Sequence, residues 1–309
     1  MSTLNTIQNQ TEFDVIVIGG SYAGLSAAMQ LARARRRVLV VDAGQRRNRF
    51  ANRSHGFLTQ DGTEAAAIAA QGRAQLLAYP NVRWVEGKAA QAMAEGEGFR
   101  IVLEDETTLR ARRLVLALGV ADELPAIDGL AERWGKSVFH CPYCHGYELD
   151  EGAIGVIATG ELAMHQALML PDWGAVTLFL NGAFEPDAAQ LAALAKRGVA
   201  LERTAVARIE GEADVVLADG RTLPMAGLFV VSQIHMASPI AQQLGCAMED
   251  GHAGQFVRTD MMKASSVPGV FCCGDMARAA GNVAMAVADG TMAGVGAHRS
   301  LIEAFNVPA

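Results

Sequence analysis

The chain lacks any apolar run approaching the roughly 18 uninterrupted residues that a membrane-spanning helix requires, so no membrane partner is expected. Its N-terminal stretch, Met1 to Glu12, has neither a basic n-region nor an apolar h-region, which reads as no targeting segment and a cytoplasmic protein. Long basic runs are also missing. Lysine and arginine cluster only between Arg33 and Arg37, and the net charge is −7. A nucleic-acid partner is therefore disfavoured, because phosphate binding needs a positive surface. Aromatic residues make up only 6%, and no stretch is low-complexity enough to be a long linker. There are five cysteines, and in a reducing compartment they do not describe a structural disulfide framework. A close pair there is more often catalytic or metal-binding.

What is present fits an α/β protein. A chain of 309 residues suits two domains, and 51% hydrophobic residues with 32 glycines imply a large buried core. Phe13 to Gly19 is an apolar strand, followed by a glycine turn, a helix from about Ala23 to Ala34, and a second strand from Arg37 to Asp42. This is the opening of a doubly wound parallel sheet. Residues 63–79 read as helix; Val82 to Glu86, Arg100 to Leu103 and Arg113 to Leu118 read as strands. A similar unit then begins, with a strand at Ala153 to Ala158, a helix at Glu161 to Leu170 and a strand at Ala175 to Leu180. Two such units imply a duplicated Rossmann-like architecture, three-layered and doubly wound. Val270 to Asp275 and an alanine/glycine-rich helix come last.

Gly19, Ser21 and Gly24 occupy the three small-residue positions of a dinucleotide fingerprint, with serine in place of the second glycine. Gly19 permits the tight turn, Ser21 lets the backbone approach a pyrophosphate, and Gly24 allows close helix–strand packing. Asp42, ending the next strand, is the expected acceptor for a ribose hydroxyl. An acid there admits an adenosine without a 2′-phosphate, as in FAD or NAD. Gly274-Asp275, between a strand and a helix, could hydrogen-bond a ribityl chain, which only a flavin has.

The most informative stretch is His140-Cys141-Pro142-Tyr143-Cys144-His145. Two cysteines two residues apart can close a small disulfide ring, and adjacent imidazoles can tune a thiolate. Cys141 to His145 also spells the haem-attachment pattern, which belongs mostly to exported proteins. A zinc site would want a second, separated ligand pair, and no further C-x-x-C or H-x₃₋₅-H follows. A redox dithiol is the better reading, with no metal. Cys246, Cys272 and Cys273 sit among apolar or small residues and read as core.

Gly19-Gly20-Ser21-Tyr22-Ala23-Gly24, the strand end Ala117-Leu118-Gly119, the Cys141/Cys144 pair, and Gly274-Asp275 followed by Asn282 and Gly290 occur in that order. Together they resemble the low-molecular-weight thioredoxin-reductase family over essentially the whole chain. The resemblance implies an FAD domain built from both ends (1–119 and 240–309), a central pyridine-nucleotide-type domain (120–239) carrying C-x-x-C, and a homodimer. It implies that FAD is lined by Gly19 to Gly24, Asp42-Ala43-Gly44, Arg47, Asn48, His55, Lys88-Ala89, Ala117 to Gly119, Gly274-Asp275 and Asn282-Val283. The stretch Asn48 to Asp61 would run near the isoalloxazine, Cys144 would face the flavin, and Cys141 would exchange with substrate.

The second nucleotide fingerprint departs from this family. It reads Ala158-Thr159-Gly160-Glu161-Leu162-Ala163, so the first glycine is alanine and Glu161 places negative charge where a phosphate would lie. The family's arginine cluster after the next strand is replaced by Leu180 to Asp187, with no cation before Lys196; Asn181 is a poor ribose acceptor. The central domain is thus expected to keep its fold without NADPH. Electrons would then enter from a substrate dithiol, pass through the cysteine pair to FAD, and leave to dioxygen as hydrogen peroxide. This resembles the small-molecule dithiol oxidases that close disulfides in natural products of the gliotoxin and holomycin type. His145 first, and His140 second, are the candidate bases for the substrate thiol. A disulfide reductase fed by NAD(P)H or ferredoxin, and a flavin-loaded sensor without turnover, are the alternatives.

Overall fold

The computed structural model describes residues 13–302. The targeting reading of Met1 to Glu12 lies outside the described residues. In chain order the first elements are β1 (Phe13–Ile18), α1 (Tyr22–Arg33), β2 (Val38–Asp42), α2 (Ala65–Leu77), β3 (Val82–Glu86), β4 (Ala89–Glu95), β5 (Gly98–Leu103) and β6 (Thr108–Leu116). Next come β7 (Val138–Phe139), α3 (Pro142–His145), β8 (Glu151–Ile157), α4 (Ala163–Met169), β9 (Gly174–Phe179), α5 (Ala188–Lys196), β10 (Ala200–Glu202), β11 (Val206–Glu210), β12 (Asp214–Leu217), β13 (Thr222–Leu223) and β14 (Gly227–Val230). The chain closes with β15 (Val270–Cys272) and α6 (Val283–Ser300).

The described chain forms two compact units. The first comprises residues up to Arg47, Ala66–Ala121 and those from His235 onward; the second comprises Asn48–Ala65 and Asp122–Ile234. In the first, a seven-stranded sheet runs β3-β2-β1-β6-β5-β4, with β15 also paired to β6. β3, β2, β1, β6 and β15 are parallel, while β4 and β5 form an antiparallel arm on β6. Successive residues of β1 feed opposite faces: Ile16 and Ile18 enter one core with Leu39 and Val41, Val15 and Val17 the other with Val38 and Val40. A strand apolar on both faces is what a helix-covered parallel sheet demands. On one face α1 lies against α6 at very short range, since a Cβ on Gly290 would stand 2.0 Å from the Ala23 carbonyl oxygen.

The second unit holds a five-stranded parallel sheet, β7-β14-β8-β9-β10, and a separate antiparallel sheet, β11-β12-β13. Ile154, Val156, Leu178 and Phe229 form one core and Ile157, Phe179, Leu228 and Val230 the other. Residues 48–65 pack here, so the expected first segment 1–119 is interrupted. Their antiparallel pairing (Arg53–Ser54 with Thr63–Glu64) closes the segment on itself. A Cβ on Gly135 would stand 2.8 Å from the Phe50 Cβ, so the 3₁₀ turn at Arg47–Phe50 is seated on this unit through Phe50. The helix expected from Glu161 starts only at Ala163, because Gly160 to Leu162 form a tighter turn. Among the described residues, no helix is long and apolar enough to cross a membrane.

Candidate active site

Two equivalent strand ends set the first comparison. The Gly19 N–H donates to the Val41 carbonyl at 2.8 Å, and the Ala158 N–H donates to the Phe179 carbonyl at 2.9 Å. The two positions therefore correspond, and so do Asp42 and Leu180, each the next residue along. Gly19 adopts φ +107°, a conformation open to glycine alone at low cost. A Cβ there would lie 2.2 Å from the Ala117 carbonyl oxygen, and one on Gly24 1.8 Å from that of Gly19. Asp42 accepts from the Gly20 N–H at 3.0 Å and so pins the turn. α1 follows at once, twelve residues long, with no acid in its first turn and no side chain capping it from Ser21. A helix opening without an internal anion is suited to a bound phosphate.

Most of the other residues expected at this cofactor converge on the first unit. Arg47 pairs with Asp275 at 3.1 Å, the Leu118 N–H approaches the Met276 sulfur at 3.3 Å, and a Cβ on Gly274 would stand 3.0 Å from that of Ala23. Asn282 caps α6 by accepting from the Met285 N–H at 2.9 Å, placing Val283 at the helix start. Ala43 and Gly44 follow β2, exposed, Ala89 opens β4, and Lys88 is exposed and ion-paired with Glu104 at 2.7 Å. Asn48 and His55 are the exceptions, since both belong to the second unit.

The second turn is built differently. Ala158 is not left-handed, and the amides of Ala163, Met164 and His165 donate to the carbonyls of Gly160, Glu161 and Leu162 at 3.0–3.1 Å. Those bonds are the first turn of the helix, as the Leu25 N–H to Ser21 carbonyl bond is in the first unit. What differs here is that Glu161 stands at the opening of the helix and that α4 is only seven residues long. Leu180, the counterpart of Asp42, is 2% exposed and offers no ribose acceptor. The Asn181 side chain accepts from the Val206 N–H at 3.0 Å, so it is spent on the fold. Arg203 does reach the loop after β9, a cation invisible in the local sequence, but it is paired with Glu185 at 2.7 Å. A cavity of about 550 Å³ borders this turn, lined by Thr159, Gly160, Glu161, His165, Val231 and Gln233 among others.

Cys141 and Cys144 are joined as a disulfide with Cα atoms 5.3 Å apart. Cys141 is extended and Pro142 occupies the first turn of α3, whose fixed φ suits a helix start. One helical turn spans the pair and points Cys144 back toward Cys141. Both cysteines are half-buried, and Tyr143 between them is 72% exposed. Around them stand three imidazoles of the same unit. The His140 ring stacks on Trp134 with centroids 5.8 Å apart, and its carbonyl accepts from Gln166 at 2.9 Å. The His145 ring lies flat on Phe139, centroids 4.3 Å and planes 10° apart. Burial, helped by the neighbouring His140 and His55, pushes His145 down to about 4, so it stays neutral at physiological pH. His55 stands edge-on to His145, centroids 6.5 Å apart. Its Nδ1 lies 3.1 Å from Glu148 Oε1 and 3.7 Å from Asp61 Oδ1. Glu148 carried no signal at the sequence level: it is a surface acid one turn past the cysteines, and its partner lies more than ninety positions upstream.

Cys246, Cys272 and Cys273 are buried and free. Burial raises the Cys273 thiol, and a hydrogen bond donated to Cys246, together with burial, raises that of Cys272. They are core groups, as their setting in the sequence implies.

The signature of the pyridine nucleotide-disulphide oxidoreductases spans residues 13–290. The chain belongs to this family. Within it, the chain is 33% identical over 322 aligned positions to a thioredoxin reductase, tcpT, of Claviceps purpurea, covering 99% of this chain and 98% of that one. Two solved structures superpose closely. An oxidoreductase from Agrobacterium tumefaciens is 56% identical with a TM-score of 0.92, over 94% and 98% of the two chains. The protein HlmI is 36% identical with a TM-score of 0.89, over 95% and 94%. The thioredoxin-reductase-like, doubly wound α/β architecture read from the sequence is thus borne out. Within this family's frame, the chain carries the Cys141–Cys144 disulfide and two corresponding turns that are built differently.

Proposed function

We propose that the protein is an FAD-dependent dithiol oxidase that closes a disulfide in a small-molecule dithiol, passes the electron pair to dioxygen as hydrogen peroxide, and works without NADP. The reading rests on one observation above the rest: the turn that would grip a pyridine nucleotide has Ala158 where the first turn has Gly19, buried Leu180 where it has Asp42, and Glu161 beside it. FAD fits the other turn, whose glycines leave no room for a Cβ and draw the backbone into a phosphate cradle. Residues 1–119 and 240–309 would supply the FAD-binding domain, chiefly through Gly19 to Gly24, Asp42 to Gly44, Arg47, Ala117 to Gly119, Asp275 and Asn282; residues 120–239 would be the degenerate domain. When bound, FAD supplies a two-electron acceptor that dioxygen can reoxidise. A homodimer in the cytoplasm, acting in the biosynthesis of a natural product, completes the proposal. The likeness to HlmI and tcpT supports the small-molecule setting only through this reading.

The chain's own residues carry the exchange. An imidazole beside the pair takes a proton from a substrate thiol, and the thiolate attacks Cys141, releasing Cys144 as thiolate. The second substrate thiol then displaces Cys141, leaving the product disulfide and the reduced pair. A disulfide reductase fed by NAD(P)H is the second reading, favoured by the cavity beside Gly160. The yellow protein, given a dithiol such as dithiothreitol in air, is expected to consume oxygen and produce peroxide with no nicotinamide present. Oxygen uptake that requires NAD(P)H would contradict the proposal.

A further inference from the structure

The exchange needs a proton acceptor, and the three imidazoles near the disulfide are not equivalent. His145, next to Cys144 and the natural first candidate, is sandwiched flat against Phe139 and half-buried. Its surroundings disfavour the imidazolium that a base must become. His140 is exposed and stacked on Trp134.

His55 is built the other way. It sits in the loop between the two short paired strands, where the Gly56 N–H donates to Asp61 at 2.8 Å and fixes that carboxylate beside the ring. Glu148, on the 3₁₀ turn Tyr147–Leu149 just after α3, meets Nδ1 at 3.1 Å. A carboxylate accepting from Nδ1–H sets the tautomer with Nε2 as acceptor and stabilises the charge when a proton arrives. The loop also borders the cysteines: a Cβ on Gly56 would stand 3.9 Å from the Tyr143 carbonyl oxygen, and the His55 ring meets that of His145. The charged and titratable groups facing His55 are Asp61 from its own loop, Glu148 from the 3₁₀ turn and His145 from α3.

We propose that His55, oriented by Glu148, is the proton acceptor for thiol–disulfide exchange at Cys141–Cys144, and that His145 is an apolar-packed wall of the site. This rests on the reading of the pair as the exchange centre but not on the direction of electron flow. In the step, the substrate S–H proton moves to His55 Nε2, a bond forms from the substrate sulfur to Cys141, and the Cys141–Cys144 bond breaks with Cys144 leaving as thiolate. The second substrate thiol forms the product disulfide and releases Cys141, which takes the proton back from His55. The other proton ends on Cys144. Two electrons have then moved from the dithiol to the pair.

The test is anaerobic mixing of the flavin-loaded protein with excess dithiothreitol, read by flavin bleaching and by quenched alkylation of Cys141 and Cys144. General-base removal typically costs 10²–10⁴-fold, so His55→Gln is expected to slow opening about 100-fold or more and to change the pH profile of the rate. Glu148→Gln should slow it about tenfold and displace that profile. His145→Gln should leave the profile's inflection in place. Added imidazole should restore part of the rate to His55→Ala, which a merely structural role would not allow. A His55→Gln protein opening at the wild-type rate with the wild-type profile overturns the inference alone. A wild-type pair inert to thiols overturns the proposed function, and this inference with it.

Discussion

Gly19 and Ala158 stand at the same point of two copies of one β-turn-α unit, yet the two turns are built differently. At Gly19 the backbone swings to φ +107° and α1 begins three residues on. At Ala158 the chain does not enter that region, and the helix that follows opens behind Glu161 and runs only seven residues. Asp42 anchors the first turn through the Gly20 N–H, whereas its counterpart Leu180 is core. One methyl group and one exchanged acid separate the two outcomes. The lesson is that both sheets rest on strand burial, so the same fold forms whichever way its nucleotide turn is built.

The comparison can be broken most severely at Gly24. A valine there would drive its Cβ into the Gly19 carbonyl, so we expect a loss of about 3–5 kcal/mol in stability, as for severe backbone and overpacking defects, with flavin lost on purification. Chemical denaturation and the ratio of flavin to protein absorbance read both. A smaller effect is expected in the second unit on acidification. His145 is held near 4 in the folded protein against about 6.5 unfolded. The unfolded chain therefore binds more protons between these values; the stability is fully present above about pH 6.5 and is lost as pH falls toward 4. At about 1.4 kcal/mol per unit, the loss is at most roughly 3 kcal/mol, and His145→Phe should remove the slope in urea midpoints measured across that range.

Asp42→Ala should weaken flavin retention about tenfold, because one anchored amide and one polar contact are worth about 1–1.5 kcal/mol; equilibrium dialysis of FAD measures it. Glu161→Gln sharpens the account of the second turn. If the missing glycine at Ala158 and the missing acceptor at Leu180 are the obstacle, this variant is still not bleached by NADPH. Bleaching in Glu161→Gln would identify charge alone as the block. The mildest change is Gly160→Ala, whose Cβ would meet nothing within 4 Å. Its midpoint should stay within about 0.5 kcal/mol of wild type, the range of surface substitutions.

Much of this was legible in the sequence because it is local. The β1-turn-α1-β2 unit is written in consecutive residues, and Cys141 and Cys144 close their disulfide within one turn. The degraded second fingerprint was equally visible as Ala158 and Glu161, although the helix behind it starts two residues later than its pattern suggests. What escaped depends on distant pairing. Nothing near His55 announces Glu148, and nothing in Leu180 to Asp187 announces Arg203. The grouping of residues 48–65 with the second unit follows from Phe50 against Gly135, a contact between residues far apart in the chain. The antiparallel arm of β4 and β5 was missed in part because Ala89–Glu95 is alanine-rich and half-exposed, a poor advertisement for a strand.

The central claim is the direction in which electrons enter. It is tested most directly by anaerobic titration of the flavin-loaded protein, first with NADPH or NADH and then with a dithiol, following the visible flavin absorbance. The account predicts no bleaching with either nucleotide and full bleaching with the dithiol, abolished in Cys141→Ser and in Cys144→Ser. Rapid bleaching by a nicotinamide nucleotide would contradict it.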